Sequence, residues 1–396
     1  MIFKKIHLLL LCITGYLAMA GGALLAPALP DMVAPLQTTT QAVGLLMSVY
    51  TLSTAIFTLI LGNFIDRVNR KTILVPTLVI YGLTGIAGFF IADFVSLLIL
   101  RFIQGIGVAG MMTLAFLVIG DVYKGFESVK AISNMSISLA VGAITAPLIG
   151  GFLADLGWNY PFLFYALSIP FAVAVIFSLP ETRGSQESSS HKGIREAFSS
   201  LRQLPILYTI FMGFSVYFLL YSLVIYVPFM LKSLFGFASG QSGLMLAVEG
   251  IAVVCTASRV NMLATRFSVI KVIIAGFFLV GLTLVGMIWT GSIVTVFMLL
   301  LLFGAGYGLA QTAIDAQIIY LSPAPSRGGI LSIHTCMKYM GMTLSPVILG
   351  VILTFSGLHT VFIISGIFGL LIAAVTYGLK RRFDTLDVSD TNISTH

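Results

Sequence analysis

Apolar stretches of about 20 residues recur along this chain, each closed by a short polar cluster. An α-helix rising 1.5 Å per residue needs roughly that length to cross ~30 Å of hydrocarbon. Twelve stretches can be marked: near 6 to 28, 41 to 62, 73 to 92, 96 to 120, 130 to 154 and 159 to 179, then near 206 to 231, 240 to 262, 269 to 290, 294 to 320, 328 to 354 and 358 to 379. The pattern predicts an all-α polytopic membrane protein. Composition agrees: 58% of residues are hydrophobic, 9% are charged and the mean hydropathy is +1.07, more apolar surface than a soluble core can hide.

The first stretch, MIFKKIHLLLLCITGYLAMA, also has the basic start and small-residue end of a cleavable secretory signal. It is expected to stay as a span, because its apolar run continues to Leu29 and the repeat described below requires it. Cys12, Cys255 and Cys336 all fall inside spans, so neither a disulfide framework nor a metal site is expected.

A net charge of +7 would suggest nucleic acid in a soluble protein, but its placement points to topology. With the N-terminus in the cytoplasm, all of the 21 basic residues except Lys232, Arg101 and Lys338 lie at cytoplasmic span ends or loops. Asp31, Asp93 and Asp155 fall outside with Lys232, while Arg101 and Lys338 lie within spans. The expectation is a multi-pass cell-membrane protein with both termini cytoplasmic and no nucleic-acid partner. The Ser-rich loop in the middle divides the chain into bundles at 1–180 and 206–380, with a linker at 181–205 and a tail at 381–396. Within the linker Ile194, Phe198 and Leu201 have the spacing of a short helix lying on the membrane surface.

The halves repeat at a shift of 199 residues: Gly105 and Gly107 onto Gly304 and Gly306, and Gly142, Pro147 and Gly151 onto Gly341, Pro346 and Gly350. Arg67 maps onto Arg266, but Asp66 maps onto Thr265. Two pseudo-symmetric six-helix bundles are implied, the sequence sign of a transporter whose halves rock about a site at mid-membrane. The proline motifs are expected to bend their helices, with glycines admitting a close neighbour, and so to serve as gating bends. GIGVAG matches the dinucleotide GxGxxG pattern, but it lies inside a hydrophobic span, where small residues serve helix packing.

These motifs resemble the major facilitator superfamily, and within it the twelve-span drug:proton antiporter branch, over nearly the whole chain. GNFIDRVNRK resembles the signature loop between spans 2 and 3, with Asn69 where glycine is usual; LLILRFIQGIGVAG resembles the arginine-containing motif of span 4. APALPDM is similar to the end of span 1 in the efflux branch. GAITAPLIGG is similar to the span-5 antiporter motif, with Ala146 replacing the glycine before proline and Ser133 at an earlier glycine position. The resemblance implies the major facilitator fold, no cofactor, a proton gradient as driving force, a small organic substrate and a monomer in the bilayer. It also implies a cytoplasmic gate of Asp66, Arg67, Arg70 and Asp121, paired with the positive end of span 11 in the outward-facing state and broken in the inward-facing one.

Ionisable residues inside a membrane are functional candidates. The resemblance makes Arg101 a proton-coupling or gating residue, a bond to span-1 carbonyls being its structural alternative. Glu249 and Lys338 lie near the middle of spans 8 and 11 at similar estimated heights, placed to pair across a cavity; Glu249 is the candidate proton-coupling group, a static buried pair its alternative. Asp315 reads as a gate or interface residue and His334 as a structural histidine. Tyr16, Met19, Phe214, Tyr217, Tyr221, Gln311 and Lys338 are the candidate substrate contacts, because aromatic and Met side chains adapt to amphipathic compounds; helix packing is the alternative for each aromatic. No span carries a His/Asp/Glu metal set or a Ser/His arrangement, so an enzyme is not expected. Proton-coupled efflux of an amphipathic compound is the leading reading. A uniporter or proton-coupled importer of a polar metabolite, or a membrane sensor or scaffold, are the others.

Overall fold

The computed structural model describes residues 2–64, 68–179, 202–323 and 326–391. Twelve of its helices are long and apolar enough to cross a membrane. Numbered as spans 1 to 6, the first are Lys5–Met32, Thr40–Leu61, Arg70–Phe90, Phe94–Val122, Phe126–Leu156 and Pro161–Ser178. Spans 7 to 12 are Leu204–Phe235, Ser239–Ala257, Val269–Trp289, Ile293–Leu321, Arg327–Phe355 and Leu358–Lys380. No strand occurs among the described residues. The linker positions Ile194, Phe198 and Leu201, and the loop residues Asp66 and Arg67, lie outside them.

Hydropathy marks the hydrocarbon-facing part of a helix, and several helices run past it into water. Span 7 is longer at both ends than its apolar stretch, and span 5 likewise. Span 8 is shorter than expected, because Ser258 Oγ turns back onto the Cys255 carbonyl and the Arg259 amide onto that of Thr256. The remainder of its predicted stretch belongs to a separate short helix, Val260–Phe267. Local signals set other ends. The Asp93 carboxylate accepts from the Ser96 amide at 2.7 Å and caps span 4, a bond that holds its carboxyl below the usual carboxylate range. Span 7 stops at Gly236, whose φ of 67° lets its amide close on the carbonyls of Leu231 and Lys232.

Within each half, span 2 packs on span 4 and span 3 on span 4, while span 7 packs on span 11 and span 9 on spans 10 and 12. Two seams join the halves, span 5 against span 8 and span 2 against span 11. Their members exchange under the repeat. The GxG positions show why the motif is there: a Cβ at Gly105 would sit 2.4 Å from the Tyr50 carbonyl oxygen, and one at Gly304 2.3 Å from that of Glu249. Spans 2 and 4, and spans 8 and 10, touch backbone to backbone at equivalent places, and no dinucleotide loop is formed. Phe90, Phe177, Phe355 and Leu371 stand exposed on the outside, as a bilayer as solvent permits.

Candidate functional site

The ends of the spans define two faces. Arg70, Lys71, Lys124, Lys130, Arg202, Arg259, Arg266, Lys271, Arg327 and Lys380 lie on one, the basic face, with the described ends of the chain. Asp31, Asp155 and Lys232 lie on the other, the far face. There the halves are clamped. Asp31, at the end of span 1, pairs with Lys232 of span 7 and accepts from Ser239 Oγ at 2.5 Å, while that hydroxyl also reaches the Pro27 carbonyl at 2.9 Å. Asp155, at the end of span 5, accepts from the Gly240 amide at 3.0 Å. Two carboxylates of one half thus meet the positive N-terminal end of span 8 in the other. The second seam is neutral: Ser48 Oγ reaches the Thr343 carbonyl at 2.8 Å and the Thr51 and Thr343 hydroxyls meet at 2.9 Å. The halves are joined across the far face by the contacts of Asp31 and Asp155.

The far-face clamp was not foreseen, although the charge pattern left one basic residue, Lys232, alone among acids there. Asp31→Asn removes one ionic partner while preserving size. Because the side chains are 32% and 45% exposed, an effect of about 0.2–1 kcal/mol is expected. Distance measurement between spin labels at Ala34 and Leu234 should show a larger open fraction at this face. An unchanged distribution would remove the clamp from the account.

At the basic face, Arg70 Nε lies 3.2 Å from Asp121 Oδ2, joining spans 3 and 4. Arg70 is 3% exposed. The Arg70–Asp121 part of the expected gate is thus paired, while Asp66 and Arg67 lie outside the described residues. Both members of that pair belong to the first half.

Arg101 is enclosed at 1% exposure. It donates to the Leu46 carbonyl at 3.2 Å, to Gln104 Oε1 at 2.6 Å and to the Gly21 carbonyl at 3.5 Å, with its guanidinium 4.1 Å from the Tyr50 ring centre. Neutral oxygens from three spans and an aromatic face hold the charge. The span-1 carbonyl bond offered as the structural alternative is present.

The ionic centre lies in the second half, and its pairing differs from the one expected. Lys338 Nζ meets Asp315 Oδ1 at 2.5 Å, not Glu249. Its ammonium also lies 5.3 Å from the Tyr217 ring centre, and Tyr217 packs edge-on to Tyr307 at 5.9 Å. His334 Nε2 reaches the same Asp315 oxygen at 3.1 Å, and Gln311 Nε2 donates to Oδ2 at 3.0 Å. Asp315 is therefore a hub at the interface of spans 10 and 11, and His334 is bonded to it through one nitrogen. Height explains the miss. Glu249 packs its backbone on Gly304, and Asp315 follows eleven residues later on the same helix (304 to 315), roughly 16 Å along its axis. Glu249 is 8% exposed, and its Oε1 has no hydrogen-bond partner among the described residues.

The remaining candidates divide. Tyr16 and Met19 are half-buried on span 1, with the Tyr16 hydroxyl 2.9 Å from Thr145 Oγ1. Tyr221 is buried with its hydroxyl beside Gly22, bridging the halves. Phe214 stacks between Phe211 and Phe218, and Phe218 meets Phe368 of span 12; it is part of a packing ladder rather than a partner of the ionic centre. Spans 5 and 11 run unbroken through Pro147 and Pro346. Their glycines lie on neighbouring backbone: a Cβ at Gly151 would be 2.4 Å from the Ser239 carbonyl oxygen, at Gly341 2.2 Å from that of Phe214, at Gly142 3.1 Å from that of Tyr16 and at Gly350 2.9 Å from that of Gln41. These six positions pack helices closely, and the helix continuity gives no break at either proline.

The Major Facilitator Superfamily model matches residues 11–262 and 231–391. The chain is 28% identical to the bacillibactin exporter of Bacillus subtilis over 342 residues, covering 82% of this chain and 84% of that protein. It is 26% identical to multidrug resistance protein MdtG of Klebsiella pneumoniae over 366 residues, covering 88% and 87%. Among solved structures, a bacterial homologue of the human lysosomal transporter Spinster, inward-facing and unoccupied, superposes with a TM-score of 0.81 at 18% identity, covering 96% of this chain and 97% of that one. A D-xylose–proton symporter gives 0.79 at 16%, covering 95% and 97%.

Proposed function

The chain belongs to the Major Facilitator Superfamily and is a multi-pass membrane transporter rather than an enzyme; from that premise we propose that it exports an amphipathic organic compound in exchange for protons by alternating access. The observation that carries this reading is Glu249, a buried carboxyl whose Oε1 has no hydrogen-bond partner among the described residues, in the same half as Tyr217 and the Lys338–Asp315 pair. A carboxyl at that depth is costly to keep charged, and alternating access supplies it with a wet and a dry environment in turn. Outward-facing, Glu249 takes a proton as the substrate leaves. Inward-facing, the arriving substrate displaces that proton into the cytoplasm. Tyr217, Tyr16 and Met19 offer the substrate apolar and aromatic contact with few obligatory hydrogen bonds. The similarity to an exporter and to multidrug resistance proteins supports the direction. The positive-inside rule puts the basic face and both termini in the cytoplasm, so that the clamp of Asp31 and Asp155 lies on the outer side.

Purified protein in proteoliposomes that are acid inside is expected to accumulate a lipophilic fluorescent dye, and a protonophore is expected to abolish the accumulation. Accumulation only in alkaline-inside vesicles would make the protein a symporter; equilibration indifferent to the gradient would make it a uniporter. No protein-dependent flux across a panel of dyes, catecholate siderophores and sugars would favour a sensor or scaffold.

A further inference from the structure

The fold does not require the ionic centre. At the repeat shift of 199 residues, Gln311, Asp315, His334 and Lys338 correspond to Met112, Phe116, Met135 and Leu139. Spans 4 and 5 thus fill with apolar side chains the places that spans 10 and 11 give to an amide, a carboxylate, an imidazole and an ammonium. Apolar packing commonly serves stability as well as a buried ion pair does, so the cluster answers to a need outside helix packing.

An ammonium carries three donors and a carboxylate roughly four acceptor positions. Lys338 gives one donor to Asp315 and lies 5.3 Å from the centre of the Tyr217 ring; no further acceptor is bonded to it among the described residues. Asp315 receives Lys338 and His334 on Oδ1 but Gln311 alone on Oδ2. Both groups can be reached, the Asp315 side chain being 35% and that of Lys338 15% exposed. His334 is enclosed. Its Nδ1 is buried with no hydrogen-bond partner among the described residues, against Gly213, where a Cβ would come within 2.9 Å of it. The ring hydrogen therefore belongs on Nε2, where it donates to Asp315 and leaves no N–H unbonded. The imidazole is neutral and fixes the carboxylate in place.

A donor of Lys338 and an acceptor position of Asp315 thus stand side by side, in a cluster whose charges sum to zero. An approaching anion meets the carboxylate as well as the ammonium, and a cation meets the reverse, so each is repelled by one member of the pair. A hydroxyl meets both favourably, accepting from Nζ and donating to Oδ2 through one oxygen. It replaces solvent at that point with neither bond lost. Resting on the export reading above, we propose that the compounds this protein carries are phenols and related alcohols, the hydroxyl held between Lys338 Nζ and Asp315 Oδ2 and the apolar ring set against Tyr217.

Equilibrium binding of 4-phenylphenol, 4-methoxybiphenyl and biphenyl to protein in nanodiscs, each corrected for uptake by empty nanodiscs, tests the site without a gradient. The phenol is expected to bind about tenfold tighter than biphenyl, the size of a hydrogen bond to a charged group, with the methyl ether, which accepts but cannot donate, between them. Lys338→Met should make the three bind alike. So should Asp315→Asn with Lys338→Met, a double variant that strands no charge and is read if the single one yields too little folded protein. Lys124→Met, beyond the end of span 4, should keep the parental order. Equal affinity of the three compounds for the parent would overturn the site, as would a phenol preference that survives the loss of Lys338. The two readings fail separately: dye accumulation indifferent to the proton gradient removes proton exchange alone, whereas equal affinities in protein that still accumulates dye remove the hydroxyl site alone.

Discussion

Asp315→Asn is expected to lower the melting temperature and folded yield more than any other single change in the ionic centre. The carboxylate serves three partners, Lys338 at 2.5 Å, His334 at 3.1 Å and Gln311 at 3.0 Å, and its loss strands an ammonium that is only 15% exposed. Breaking a buried pair by removing one member costs about 3–5 kcal/mol. Asp315 itself is 35% open, and water reaching it reduces the figure to roughly 2–3 kcal/mol. The partners are not equivalent. Lys338→Met leaves the carboxylate its bonds to His334 and Gln311 and should cost clearly less. Combining the two changes should recover much of the loss, because neither charge then remains without the other. Thermal unfolding in detergent of the two single variants and the double decides the matter: equal damage from both single changes, with additive loss in the double, would mean that Asp315 is not the hub.

For Glu249→Gln the expected failure is one of coupling rather than folding. Glutamine keeps the size of the side chain and its capacity for hydrogen bonding but cannot ionise. The variant should fold at the parental yield and exchange dye across the bilayer near the parental rate, yet lose gradient-driven accumulation by about 10²-fold, the lower end of what a positioned proton-transfer group contributes. Changing Lys338 as well should rescue nothing, because Lys338 is engaged by Asp315. Well-folded Glu249→Gln protein that still accumulates dye at the parental rate would end the coupling role and move attention to Asp315. A collapse of folded yield would instead assign Glu249 to holding span 8 against span 10.

The number and order of spans were legible because the bilayer imposes one requirement, length of apolar helix, that a linear pattern expresses directly. The backbone contacts of Gly105 and Gly304 were equally legible, since a small residue repeated in both halves has few other uses inside a membrane. Pairing within the site was not. Glu249 and Lys338 were placed by counting from helix ends, a method blind to where one helix crosses another, and Asp315 was set aside for its depth although that depth is what Lys338 reaches. His334 and Lys338, one turn apart on span 11, already pointed toward a common acid. The clamp of Asp31 and Asp155 escaped because its two halves are more than eighty residues apart in every pairing and no local motif announces them.

The division of ionisable groups between the halves also bears on how this carrier can be re-engineered. Glu249, Asp315, His334 and Lys338 all belong to spans 8, 10 and 11, whereas the first half contributes to the membrane interior the caged Arg101 and the wall of Tyr16, Met19 and Thr145. In the proposed mechanism the titrating side chains are thereby concentrated in the second half. On that proposal, a library confined to Tyr16, Met19 and Thr145 varies a substrate-facing surface while leaving Glu249, Asp315, His334 and Lys338 in place.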